Sequence, residues 1–226
     1  TCDTPWRMAS SLESIVLIRH ARSVANTDPR IYRTTPDHAI PLIDPEGDAD
    51  ALRAAQWLRD MDIDAPSACA WNSPYLRCKQ TRDLIVRHAF DDGSALAQRE
   101  SFLLREQEFG DWDGFSDVEI AEYDPARWRR LQRMSDLLGR FYFRFPNGES
   151  RADVVTRVTL FIAKLHRSRF SHHLVFLHGV TQRAFRMSWF NRPIEWFESE
   201  KNPANASVVA IRRGDDGQWF EESWSP

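Results

Sequence analysis

"SIVLIRHARS", residues 14–23, is the stretch whose reading decides the fold. Ile15, Val16, Leu17 and Ile18 form an apolar run without alternation, the pattern of a strand covered on both faces, as in the middle of a parallel sheet. The run ends on Arg19, His20 and Arg22, with no carboxylate among them. Ligands of open α/β sheets bind beyond the carboxyl ends of the strands, so this strand delivers its cations and imidazole to the edge where a site would form.

Downstream, "NTDPRIYRTTPDHAIPLIDPEG" holds Pro29, Pro36, Pro41 and Pro45, which preclude a continuous helix. A loop of that length inside a domain tends to be functional. Ala51, Ala54, Ala55 and Leu58 then fall at helical spacing over 46–60, and "SACAW" (67–71) reads as a short buried strand. A helix is predicted from Pro74 to Ala89, a strand within 95–104, and largely helical chain over 116–144 with a restart at Pro125. Ser150 and Asp153 form a capping box ahead of a helix over 150–167. "LVFL" (174–177) is a strand leading into a helix over 180–190, and 206–212 with 217–223 make a hairpin around "GDDG". Strands alternating with helices, then an antiparallel end, predict a three-layer α/β/α sandwich around a mixed, mostly parallel sheet. The expected organisation is one domain over 15–226 behind a polar tail at 1–14, and 226 residues do not require a second core.

With 42% hydrophobic and 28% charged residues the composition is that of an ordinary globular protein. A net charge of −3 argues against a nucleic-acid partner, and the longest early apolar run is too short for a membrane span. Cys2, Cys69 and Cys78 show no disulfide or zinc spacing, so a reducing, cytoplasmic setting is expected. None of them has an arginine six positions later, which sets aside cysteine-phosphatase chemistry. His172 and His173 are adjacent on a strand and so face opposite ways, which reads as a solvated strand start rather than a metal site.

Three strand ends carry chemistry: Arg19 to Ser23 after the first, Asn72-Ser73 leading to Arg77 after the second, and His178-Gly179 after "LVFL". Cations gathered on one rim repel one another unless an anion compensates them. Phosphate suits best, because guanidinium groups match its oxygens in a fork and helix N-termini add backbone donors. A histidine among arginines stays neutral and nucleophilic, so the chemistry indicated is phosphoryl transfer to imidazole.

These motifs resemble the histidine phosphatase superfamily, in its phosphoglycerate mutase-like branch. "LIRHARSVAN" is similar to its Arg-His-Gly signature, "NSPYLRCKQTRDLI" to its Ser-x-x-x-Arg-x-x-x-Thr helix, and "LREQEFGDWDG" to its Leu-x-Glu segment. "PNGES", "FLHG" and a final "NASV" follow in the family's order. The resemblance implies that His20 is the nucleophile, that Arg19, Arg77 and His178 surround the phosphoryl group, and that Glu106 is general acid and base, with Glu108 a local competitor. It implies no metal or other cofactor and a small phosphorylated substrate. Ser23 and Asn26 either touch the phosphate or cap the following helix; Gly179 lies beside His178 as a further substrate contact. Arg22, where the family commonly has an acid or amide, either favours an anionic substrate or points to solvent. Tyr32, Arg33 and His38 are candidate substrate contacts from the loop. Ala21 stands where the family has glycine, and Asp113 where it has glutamate.

Phosphatase and mutase share the first half-reaction, and the loop after His20 lacks the Trp-containing segment of glycolytic mutases. Hydrolysis of a phosphomonoester is therefore the leading expectation, with mutase transfer and a non-catalytic phosphate-binding role as alternatives. The arginine-rich segment between Glu106 and Pro146 is expected to form a helical cover over the site, from which Arg127, Arg129, Arg130, Arg133, Arg140 and Arg144 could reach the substrate, with most of them facing water. Oligomeric state has no sequence signal.

Overall fold

The apolar run becomes a strand enclosed on all sides in the computed structural model, which describes residues 12–226. Among the described residues the strands are β1 (Ser14–Arg19), β2 (Ala68–Asn72), β3 (Ala97–Glu100), β4 (His172–Leu177), β5 (Val208–Arg213) and β6 (Trp219–Trp224). They form one sheet in the order β3-β2-β4-β1-β5-β6. β1 pairs in parallel with β4 and antiparallel with β5, β2 lies parallel to β3 and β4, and β6 closes the sheet antiparallel to β5. The sheet is mixed and mostly parallel, as the alternation of elements predicts.

Side-chain parity assigns the two faces. Ile15 and Leu17 join Trp71, Val175 and Leu177 against α6 (Arg151–Leu165), α7 (Gly179–Trp189) and α8 (Ile194–Ser199). Val16 and Ile18 join Ala70, Leu174 and Phe176 against α2 (Glu46–Arg59) and α3 (Leu76–Ala89). Apolar residues on both faces explain why β1 shows no alternation, and a one-residue slip would exchange the two cores. The remaining helices are the short α1 (Val24–Thr27) and, in the segment expected to form the cover, α4 (Asp117–Tyr123) and α5 (Pro125–Tyr142), which Gly139 kinks at a φ of 75°.

Adjacent parallel strands β1 and β4 send their chains to opposite faces, β1 toward α2 and β4 toward α7. That divergence opens a crevice at their carboxyl ends. The Ser150–Asp153 capping box forms as predicted, with Ser150 Oγ donating to Asp153 Oδ2 at 2.6 Å.

Several expectations shift. Leu12 is buried and Ser14 opens β1, so ordered core begins before residue 15, while residues 1–11 of the expected tail lie outside the described residues. α3 starts at Leu76 with Tyr75 as its cap, so Pro74 precedes the helix. α8 has no forecast in the sequence, and the proline-rich loop is folded into α1 and two short 3-10 turns at Pro29–Arg33 and Asp37–Ala39. His173 is fully buried rather than solvated, because both faces of β4 are covered.

Candidate active site

His20 follows β1 and its backbone continues the sheet, its N–H donating to Leu177 O at 3.0 Å while its own carbonyl accepts from Ala206 N and Asn205 Nδ2. The imidazole is 4% exposed, and Nδ1 lies 2.8 Å from Ala21 O. A carbonyl only accepts, so Nδ1 carries the proton and Nε2 keeps its lone pair. Burial first, then the charges of Arg77 and Arg19, hold the ring well below the ordinary histidine range and therefore neutral. The alanine at 21 costs nothing in backbone geometry, since it is not among the residues at positive φ. Its methyl packs in the core beside α2 and α3, and its N–H donates to Thr81 Oγ1 at 2.9 Å. Thr81 is itself fixed by donating to Arg77 O, so α3 ties the residue after His20 to the arginine.

His178 caps α7 and its ring centroid lies 5.2 Å from that of His20. Ser73 Oγ is 2.8 Å from its Nε2, which leaves Nδ1 with only the distant sulfur of Cys78, at 4.0 Å. Burial and Arg77 keep this ring neutral too. Arg77 emerges from the first turn of α3, 1% exposed, and gives Nη1 to Asp37 Oδ1 at 2.6 Å and to Asp37 O at 2.8 Å. Arg19 donates to Pro203 O. The Nε atoms of both arginines are buried without a protein partner, a costly state for guanidinium unless an anion accepts from the same groups. Gly179 lets the two elements close: a Cβ there would lie 3.7 Å from Arg19 Cζ and 3.2 Å from Asn202 Oδ1.

Glu106 meets the N-terminus of α7. Val180 N donates to Oε2 at 3.2 Å and Thr181 N to Oε1 at 3.3 Å, a favourable place for a carboxylate at the positive end of a helix. Its backbone is clamped from behind: Glu149 accepts from Arg105 Nη2 at 2.6 Å and Arg157 Nε at 3.0 Å, and Arg157 also donates to Leu103 O and Glu106 O. Gly110 and Gly148 permit the crossing of the two segments, since a Cβ would stand 2.0 Å from Pro146 O and 2.4 Å from Glu108 O respectively. Glu108 points elsewhere, toward Arg105 Nε at 3.5 Å, so Glu106 is the carboxylate on the α7 rim.

The structure thus brings Arg19, His20, Arg77, Glu106, His178 and Gly179 together. Other candidates lie apart from this pocket or beside it. Arg22 turns to Asp50 of α2 at 3.4 Å. Ser23 and Asn26 cap α1 reciprocally, and Asn26 Oδ1 also accepts from Asn205. Arg33 binds Gly114 O and Glu119 and lies over the Phe115 ring at 4.2 Å, tying the loop to the cover. Tyr32 and His38 line a cavity next to the pocket. From the cover, Arg127 pairs with Asp111 and Arg144 with Asp153. Ser73, Thr81, Glu149 and Asn205 stand inside the quoted motifs without an assigned role, whereas Asp37 and Arg157 have no sequence signal for the site because their partners are remote in sequence. Among the described residues no group of three or more His, Cys, Asp or Glu is arranged to hold a metal ion, and no helix is long and apolar enough to cross a membrane.

Two neutral imidazoles and two buried guanidinium groups thus share the crevice at the carboxyl ends of β1 and β4. A family model of the histidine phosphatase superfamily (branch 1) matches residues 15–225, and the chain belongs to that superfamily. A phosphoglycerate mutase-like protein of Arabidopsis thaliana is 35% identical over 221 residues, which take in 91% of this chain and 66% of the relative, so the chain spans about two thirds of that protein's length. A broad-range acid phosphatase of Saccharomyces cerevisiae is 38% identical over 109 residues, 42% of this chain and 33% of its own. A mycobacterial glucosyl-3-phosphoglycerate phosphatase superposes with a TM-score of 0.71 at 22% identity, over 94% of this chain and 98% of that one, which establishes likeness of fold.

Proposed function

We propose that this protein hydrolyses a phosphomonoester through a phosphohistidine on His20. The observation that carries the reading is the His20 ring itself, held neutral by burial and by the charges of Arg77 and Arg19, with Nδ1 spent on Ala21 O so that Nε2 keeps its lone pair. The Nε2 lone pair attacks phosphorus and the bond to the ester oxygen breaks. The leaving oxygen takes its proton from the Glu106 carboxyl, which holds that proton once the negative charge of the bound phosphoryl group stands beside it. Glu106, now a carboxylate, accepts a proton from water as the water oxygen attacks phosphorus, which releases phosphate and returns His20 to the neutral form. Arg19, Arg77, His178 Nδ1 and the Gly179 N–H that opens α7 stabilise the equatorial oxygens, which gain charge in the transition state. The phosphatase names among the relatives support hydrolysis over transfer to a second alcohol. A cytoplasmic setting belongs to the same proposal, and the free thiols of Cys69 and Cys78 are compatible with it.

Glu106→Gln tests both halves of the scheme. The variant should lose roughly 100-fold or more on alkyl phosphates and far less on aryl phosphates, whose leaving groups need no proton. Quenched turnover should yield an acid-labile, alkali-stable adduct on His20. Steady turnover with no such adduct, or equal losses on both substrate classes, would remove the mechanism.

A further inference from the structure

A second cavity, of about 320 Å³, opens beside the phosphate pocket, lined in part by Tyr32, Asp37, His38, Tyr75, Glu108 and Asp113. It shares walls with the pocket. Asp37 is the residue that holds Arg77, and the Tyr75 ring lies 5.0 Å from both the His178 ring and Arg77 Cζ. An ester whose phosphate sits between the arginines therefore projects its alcohol part here.

The lining is rich in acceptors and poor in cations. No lysine or arginine belongs to it. Two of its carboxylates already face arginines of their own, Asp37 on Arg77 and Glu108 on Arg105. Asp113 has no basic side chain within ion-pair distance among the described residues, and burial followed by the charge of Asp37 pushes its carboxyl up to about 6. Burial likewise holds the Tyr32 hydroxyl protonated, at about 12, and shifts Tyr75 in the same direction. Carboxylates accept from hydroxyl groups, tyrosine hydroxyls donate and accept, and the rings offer flat apolar faces. A second anion would meet like charge without enough donors to replace its water. A cation would find two of the three carboxylates already compensated.

We propose that the substrate's alcohol part is an uncharged, hydroxyl-rich group, a sugar or polyol carrying one phosphate, and that a second anionic group on it is rejected. The proposal rests on the phosphatase reading above. It gives Asp113 a part in specificity, at the position where the family has a longer acid.

The test compares compounds of nearly equal shape. kcat/KM for glycerol 3-phosphate should exceed that for 3-phosphoglycerate, which replaces a hydroxymethyl group by a carboxylate, by about 10-fold or more. It should also exceed that for phosphocholine. Asp113→Asn and Glu108→Gln together should narrow the first ratio at least several-fold, mainly because the carboxylate-bearing ester then saturates the enzyme at lower concentration. Equal rates for the first pair, preference for 3-phosphoglycerate, preference for phosphocholine, or a ratio unmoved in the double variant would each overturn the proposal. Calorimetric binding of the same compounds to His20→Ala reads the cavity without chemistry. Tighter binding of glycerol 3-phosphate there, with no turnover of any ester including p-nitrophenyl phosphate by the unaltered protein, would support the cavity's selectivity while refuting the phosphatase reading; equal or reversed affinities would refute the selectivity itself.

Discussion

Two histidine pairs occupy opposite ends of one sheet, and their fates differ. At the carboxyl ends of β1 and β4 lie His20 and His178; at the start of β4 lie His172 and His173. His173 is as buried as His178, and burial holds both below the ordinary histidine range, His173 at about 4. Yet His173 Nδ1 accepts from Trp71 Nε1 at 3.1 Å, and its Nε2 is enclosed without a partner. His172 rests against Ser14 Oγ at 2.8 Å. A buried neutral imidazole is therefore not in itself a site. What distinguishes His20 and His178 is the edge they occupy, where chains leaving to opposite faces open a crevice and α3 and α7 add arginine and helix N-terminal amides.

The sharpest break in the comparison is a pair of substitutions. His20→Ala should lower kcat on an aryl phosphate by roughly 10³-fold or more, while His173→Asn, at the far end of the sheet, should leave it within about 3-fold. Comparable losses in both, with both variants folded by circular dichroism, would mean that burial rather than position matters.

A smaller effect separates the causes of neutrality. Arg77 is the first charge, after burial, that lowers His20. Arg77→Leu should raise the pH at which the His20 ring takes up its second proton, as read from ring nitrogen chemical shifts, and raise KM by about 10-fold or more. The His173 ring, for which the causes after burial are His172 and Arg99, should not move.

The smallest effect is on stability. An unfolded chain protonates His173 near 6.5, whereas the folded one resists until about 4. Its contribution is thus full above pH 6.5 and is lost as pH falls toward 4, on the order of 3 kcal/mol in all. His173→Phe should flatten that part of the stability curve in urea titrations at pH 7 and pH 4.5. At neutral pH it should cost about 1–3 kcal/mol, because Trp71 Nε1 loses its acceptor. An unchanged difference between the two pH values would place the acid sensitivity elsewhere.

Legibility followed from how local each cause is. Arg19, His20 and His178 were readable because an unbroken apolar run fixes a strand, and a strand fixes what stands at its end. Glu106 was visible only through resemblance, since its role depends on α7, over seventy residues away, and on the Glu149–Arg157 clamp. Arg22, Arg33, Ser23 and Asn26 carried suitable chemistry, but their directions were set by Asp50, Gly114, Glu119 and Asn205. For His172 and His173 alternation was right, and the inference of solvation failed because helices cover both faces of β4.

By itself, then, the sequence determined the order of the strands, the central one among them and the identity of the residues delivered to its end, because hydrophobic periodicity and strand parity act over a few neighbours. Tertiary structure alone decided which cations line the pocket, which are paired with internal carboxylates, and that an acceptor-rich cavity adjoins it. Those outcomes depend on side chains converging from distant segments, as where one ion pair at 2.6 Å joins Arg77 to Asp37, a wall of the neighbouring cavity.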